Sequence, residues 1–213
     1  MSIYQLKSTF QQLLRPLVRQ LARLGVTANA VTMAALLVSV ALGVVLGMAT
    51  LLHSEASWVW LSLPIWLFIR MALNAIDGML AREHGQQSHL GAILNEVGDV
   101  LADAALLLPF MILAWQLDEA LAVPLILASL ILSILTEYIA VLGPMLGASR
   151  RYDGPLGKSD RAFVLGVLGL AHGLAWLPSG TSVLSWVFAA FTLLLLLTCI
   201  KRARAILSEV KHA

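Results

Sequence analysis

The chain carries a single cysteine, Cys199, so it can close no internal disulfide and offers no thiolate set to a metal. Charge is scarce as well: 12% of the 213 residues are Asp, Glu, Lys or Arg, against 60% that are hydrophobic. A soluble domain of this length cannot bury so much apolar surface, and a mean hydropathy of +0.88 agrees. The expectation is an all-α integral membrane protein, one domain over residues 1–213. Low-complexity tracts and convincing repeats are missing, and nothing in the charge pattern marks a nucleic-acid partner. The first residues also lack the ordered n-region, h-region and cleavage site of a signal peptide.

Spanning a bilayer takes about 20 mostly apolar residues per helix. Six stretches qualify, at about 28–51, 58–82, 88–116, 122–147, 160–177 and 182–201. Ahead of them, Leu6, Phe10, Leu13, Leu14, Leu17 and Leu21 recur at helical period among Lys7, Arg15, Arg19 and Arg23. That pattern predicts an amphipathic helix lying in the membrane interface; a soluble helix packed on the loops is the alternative. The domain thus divides into an interfacial helix (1–25), a six-helix bundle (28–201) and a cytoplasmic tail (202–213). Thirteen of the 14 basic residues fall on one side of the six-span scheme, Arg70 being the exception. The opposite loops carry only Glu55, Asp118 and Glu119. Basic residues mark the cytoplasmic side, so both termini are expected there, with the protein in the inner (plasma) membrane of a bacterium.

Polar residues interrupt the second and third spans in a fixed pattern. Asn74, Asp77, Gly78 and Ala81 share one helical face, followed by Arg82; Gly91, Asn95 and Asp99 share a face of the next helix. Helix rise puts Asp77 about 8 Å and Asn95 about 10 Å below the connection, so the two faces can meet across an antiparallel hairpin. Carboxylates inside a membrane are expensive and functional by default. Oxygen donors suit Mg²⁺, Mn²⁺ or Ca²⁺ rather than zinc. Small residues at four-residue spacing also let transmembrane helices approach, which accounts for the glycines and the alanine but not for the aspartates.

These residues resemble the signature of the CDP-alcohol phosphatidyltransferase family, Asp-x2-Asp-Gly-x2-Ala-Arg-x8-Gly-x3-Asp-x3-Asp. The spacing matches throughout, as do six of the eight residues: Asp77, Gly78, Ala81, Arg82, Gly91 and Asp99. Asn29 lies in a segment similar to the family's Thr-Pro-Asn stretch, with Ala28 in place of proline, and Gly157-Lys158 is similar to a further family feature. The resemblance implies attack of an alcohol on a CDP-linked lipid such as CDP-diacylglycerol, giving a phosphodiester and CMP in phospholipid biosynthesis. It implies Asp99 as the base and metal ligand, with Asn74, Asp77 and Asn95 as further ligands for one or two Mg²⁺ or Mn²⁺ ions. It also implies Gly78, Ala81, Arg82 and Gly91 at the nucleotide, and a homodimer.

Asn74 and Asn95 stand where the family has aspartate. An amide oxygen still ligates a hard cation, without formal charge. Glu96 is the candidate to restore charge, with a packing role as its alternative. The two asparagines also leave open a catalytically impaired relative that acts as a nucleotide- or lipid-binding scaffold. A transporter or channel fits less well, because the acidic pocket lies near one face rather than at midplane. Arg150, Arg151, Lys158 and Arg161 crowd the same mouth and suggest a phosphate cradle, beside the plainer reading of topology-setting charge. Deeper in the bundle, Arg70 is expected to bridge Asp103 and Glu137 as a structural ion cluster. Trp58, Trp60 and Trp176 read as interface anchors. Glycerol phosphate, inositol phosphate, serine and a second lipid all remain open as acceptors.

Overall fold

The order of elements follows from where helices can start and must stop. The protein's structure, a computed structural model, describes residues 3–52 and 56–212, with side chains from 9 to 52 and from 56 to 211. The side chains of Leu6 and Lys7, and Glu55 entirely, lie outside the described residues. Among those described, all regular structure is helical: α1 (Ile3–Arg23), α2 (Ala28–Leu52), a 3-10 turn (Ser57–Leu61), α3 (Ser62–Glu83), α4 (His89–Leu107), α5 (Pro109–Gln116), α6 (Ala122–Met145), α7 (Lys158–Gly173) and α8 (Val183–His212).

Side-chain oxygens set the helix starts nearest the polar residues. Thr27 Oγ1 accepts the Ala30 N–H at 3.1 Å, opening α2, and Ser88 Oγ accepts the Gly91 N–H at 3.0 Å, opening α4. Asp160 Oδ2 accepts the Gly157 N–H at 2.8 Å at the head of α7. These are N-cap bonds to otherwise orphaned groups. Gly85, at φ +65°, turns the chain out of α3 and toward α4. In the same connection Gln86 accepts the Ala28 N–H at 2.7 Å and donates to the Val26 carbonyl at 3.4 Å. The α3–α4 hairpin is thereby tied to the start of α2.

Five segments are long and apolar enough to cross a membrane: Ala28–Leu52, Ser57–Glu83, His89–Gln116, Ala122–Met145 and Val183–Lys211. Their large apolar side chains face outward as well as inward, with Leu37, Val44, Phe68, Leu193 and others exposed, as suits helices surrounded by hydrocarbon. The sixth expected crossing coincides with α7, whose 16 residues rise about 24 Å, short of the ~30 Å hydrocarbon core. Residues 202–212, expected as a tail, continue α8 as helix.

The expected single helix over 88–116 is broken between Leu107 and Pro109. Proline has no N–H for the Ala105 carbonyl one turn back. That carbonyl instead faces α2: a Cβ built on Gly43 would meet the Ala105 carbonyl oxygen first and its carbon at 2.8 Å. Gly43→Val is expected to force α2 and α4 apart and destabilise the protein by about 1–3 kcal/mol. Thermal unfolding in detergent measures this, and an unchanged midpoint would show that the two helices separate freely.

The main core surrounds Trp60, Phe110 and Phe188, whose rings meet edge-on at 4.8 and 5.8 Å. Trp60 is therefore not an interface anchor. It is 1% exposed, and its indole N–H reaches Thr50 Oγ1 at 3.0 Å. Trp58 and Trp176 do stay exposed. Glu119, read from sequence as a plain loop charge, is buried and accepts the N–H groups of Leu184 and Ser185 at 3.2 and 2.8 Å. It caps α8 from a neighbouring loop. A second cluster packs Leu14, Val18, Leu21 and Ala22 of α1 against Ile76, Met79 and Leu80 of α3, and Arg15 donates to Glu83 at 2.9 and 3.2 Å. Leu13 and Leu17 of the same helix remain exposed.

Candidate active site

Helical spacing places Arg70, Asn74, Asp77 and Ala81 on one side of α3, toward the side of α4 that carries Asn95, Asp99 and Asp103. The two faces touch directly: Asn74 Nδ2 donates to Asp99 Oδ1 at 3.2 Å. Asp77 is buried, at 5% exposure, and its Oδ2 accepts the Thr32 hydroxyl of α2 at 2.8 Å. Thr32 was not picked out in the sequence; the signal available was its position one turn after Ala28, to whose carbonyl its hydroxyl also donates at 3.1 Å. The half-buried Asn95 side chain makes no hydrogen bond among the described residues.

Around the motif, small residues bring backbone and side chains together. A Cβ on Gly91 would sit 2.7 Å from Asn29 Oδ1, so Asn29 rests against the backbone of α4. A Cβ on Gly78 would sit 3.0 Å from an Arg82 guanidinium nitrogen, so Arg82 folds back over its own helix. Ala81 packs at the edge of the α1–α3 cluster. Arg82 is exposed and has no ion-pair partner among the described residues.

The cations are arranged differently from expectation. Arg70 pairs with Asp103 at 2.6 Å and with Asp99 at 3.3 Å, rather than bridging Asp103 to Glu137. Arg161 makes that bridge, reaching Asp103 at 3.0 Å and Glu137 at 3.1 Å. It is 3% exposed, so it serves the ion cluster and presents no open guanidinium as a phosphate cradle. Arg202 of α8, missed in the sequence, lies 3.7 Å from Glu137 and donates to the Thr136 carbonyl at 2.6 Å. Lys158 pairs with Asp99. From the head of α7 it meets Asp99 Oδ2, while Arg70 meets Oδ1.

Glu96, the candidate for missing metal charge, is held instead by Arg150, with one contact at 2.9 Å. Burial alone would lower the Arg150 guanidinium; the Glu96 carboxylate outweighs it and holds the group above its ordinary value. Arg151 pairs with Glu209 and donates to the Ala205 carbonyl at 3.2 Å. Beside this mouth an apolar cleft of about 350 Å³ runs between α3 and α7, lined by Leu67, Phe68, Met71, Phe163 and Val167, with Ser159 at its edge.

Donor chemistry bounds what the site can hold. Among the described residues no three His, Cys, Asp or Glu side chains form a metal-binding group. The oxygen donors on these facing helices are the carboxylates of Asp77 and Asp99 and the amide oxygens of Asn74 and Asn95. All four donors are hard, as divalent cations of the Mg²⁺ class prefer. The two carboxylates carry two negative charges, and Asp99 already faces Arg70 and Lys158.

Comparison with known proteins bears on the family and the fold. The chain is 46% identical to "Inner membrane protein YnbA" of Escherichia coli K12, over 97% of both chains. It is 28% identical to the phosphatidylinositol phosphate synthase of Corynebacterium glutamicum, over 84% of this chain and 78% of that one. Its fold matches crystal structures of Mycobacterium tuberculosis phosphatidylinositol phosphate synthase. The form with CDP-DAG bound gives a TM-score of 0.72 at 22% identity, covering 90% of this chain and 92% of that one. The complex with manganese and citrate gives 0.72 at 23% identity, covering 91% and 88%. The sequence profile of CDP-alcohol phosphatidyltransferases matches residues 25–198, from just before α2 into the second half of α8. With most of its length inside that match, the chain belongs to the CDP-alcohol phosphatidyltransferase family, transferases of substituted phosphate groups.

Proposed function

We propose that the protein is a metal-dependent phosphatidyltransferase of phospholipid biosynthesis, moving a phosphatidyl group from CDP-diacylglycerol or a similar CDP-linked lipid to an alcohol. The observation that carries this reading is Asp99, held by Asn74, Arg70 and Lys158 beside the buried Asp77. The acceptor oxygen bonds to the β-phosphorus, the bridging P–O bond breaks, and its electron pair leaves with CMP. Asp99 takes the acceptor's proton, a general-base role. An arriving diphosphate competes with Asp99 for the Lys158 ammonium, and its withdrawal uncovers a carboxylate oxygen as the donor seats. Arg82, without an acid of its own, takes a phosphate oxygen; Gly78, Ala81, Gly91 and Asn29 border the nucleotide. Asp77, Asp99 and the amide oxygens of Asn74 and Asn95 would hold a divalent ion, which would supply Lewis-acid stabilisation of the diphosphate. Manganese in a structural neighbour supports that choice of ion. The α3–α7 cleft receives a lipid tail, since it is apolar and begins next to Lys158.

The finer topology belongs to the same proposal. Helix α7 makes a sixth, short crossing, and α1 lies in the interface with Leu13 and Leu17 toward lipid. Both ends and the site face the cytoplasm on the strength of the basic residues. The inner-membrane relative supports that membrane, and the family resemblance supports a homodimer.

Purified protein incubated with radiolabelled CDP-diacylglycerol, Mg²⁺ or Mn²⁺ and a panel of alcohols tests the reading. Alcohol-dependent CMP release is expected. Intact donor across the panel would favour the scaffold reading that Asn74 and Asn95 motivate. Metal binding gives a second check. Asn74→Asp replaces an amide–carboxylate bond of 3.2 Å with two facing carboxylates, an arrangement that calls for a cation. The Asn74→Asp, Asn95→Asp protein is expected to bind Mn²⁺ at least about tenfold more tightly by calorimetry and to lose thermal stability on chelation. Unchanged or weaker Mn²⁺ affinity would contradict the ligand assignment.

A further inference from the structure

Resting on the transferase reading, we infer that the acceptor alcohol carries no phosphate group. The acceptor hydroxyl must reach Asp99, so its seat lies between the mouths of α4 and α7. Four carboxylates surround that region: Asp77, Asp99, Asp103 and Glu137. Four cations face them: Arg70, Lys158, Arg161 and Arg202. The pairing is nearly complete. Arg70 is divided between Asp99 and Asp103, Lys158 is on Asp99, and Arg161 is divided between Asp103 and Glu137. Arg202 lies beside Glu137 and also donates to the Asp153 and Thr136 carbonyls at 3.0 and 2.6 Å. Arg161 and Arg202, 3% and 2% exposed, are closed to solvent. At the rim, Arg150 and Arg151 are taken up by Glu96 and Glu209.

A phosphate monoester brings close to two negative charges near neutral pH. It would enter beside the donor's diphosphate, whose own charge the divalent ion and Lys158 already offset. With Arg82 assigned to the donor's phosphate, the acceptor side offers no surplus positive charge and no open guanidinium, and uncompensated like charges at close range repel strongly. A hydroxyl compound without phosphate needs neither, and the half-buried carboxylates can accept its hydrogen bonds. Glu137 decides the balance: it adds a carboxylate exactly where Arg161 and Arg202 converge.

The test sets glycerol, inositol and serine each against its monophosphate, at equal concentration, with CDP-diacylglycerol and Mn²⁺, reading CMP release. At least one unphosphorylated compound is expected to react at least about tenfold faster than its phosphorylated partner. A smaller preference, or the reverse, overturns the inference and leaves the transferase reading standing. Silence with all six compounds, and with a lipid alcohol added as a seventh, overturns the transferase reading, and the inference falls with it. Glu137→Gln, which removes one negative charge beside Arg161 and Arg202 at nearly constant volume, is expected to raise the relative rate of the phosphorylated partners by about tenfold. A ratio that does not move also overturns the inference.

Discussion

Replacing Asp99 with asparagine is expected to lower alcohol-dependent CMP release by about 10²–10⁴-fold, the range that loss of a positioned general base commonly produces. Asparagine keeps the volume and one carbonyl oxygen, so contacts with Arg70 and Asn74 are weakened rather than erased. The loss should fall on kcat rather than on donor KM, because Asp99 meets the acceptor proton in the transition state. Asp77→Asn has a different signature. Its carboxylate is directed to Thr32 and the proposed metal, so its loss should be partly restored by raising Mn²⁺. An Asp99→Asn protein within roughly threefold of the parent rate would remove Asp99 from the chemistry.

Arg161→Met is expected to destabilise the protein by about 3–5 kcal/mol, the usual result of removing one partner from a buried ionic network. Two acids, Asp103 and Glu137, lose a guanidinium at 3.0 and 3.1 Å. Arg202 remains 3.7 Å from Glu137, so Asp103 depends afterwards on Arg70 alone. Adding Glu137→Leu to the methionine variant should recover part of the loss, because the acid that lost its nearer guanidinium is removed, while Arg202 keeps its bonds to the Asp153 and Thr136 carbonyls. Thermal or denaturant unfolding in detergent reads both effects. Parent-like stability of the single variant would return Arg161 to a role at the substrate instead of the helix clamp.

The hairpin that carries the site was legible because its spacing is rigid. Asn74 and Asp99 lie on faces fixed by the helical period and at depths fixed by the helical rise, so one register brings them together, and they meet. The partners of Arg70 and Arg161 were not legible. Helix rise puts Arg70 deep in the bundle and Arg161 near the mouth, yet both reach Asp103. Which one reaches Glu137 depends on how α7 packs against α3, where Gly166, Gly169 and Gly173 face Leu61, Leu63 and Pro64. Sequence shows those glycines but not the helix they approach. Trp60 was misread for a related reason: an indole near a span end suits an interface, and only packing shows that this one meets Phe110 and Thr50. The Arg150 partner of Glu96 was not legible because Arg150 lies 54 residues away along the chain, across a loop whose course sequence does not give. The short α7 and the break at Pro109 had local causes. The proline was visible, whereas the premature end of α7, with Ala175 at φ +57°, had no comparable marker.

Glu119 has a consequence far from where it sits. It grips the first turn of α8 through Leu184 and Ser185, while Arg202 lies on the same rod, 18 residues from Leu184, or about 27 Å along its axis. One continuous helix thus joins a buried acid at the far end of the molecule to the arginine beside Glu137.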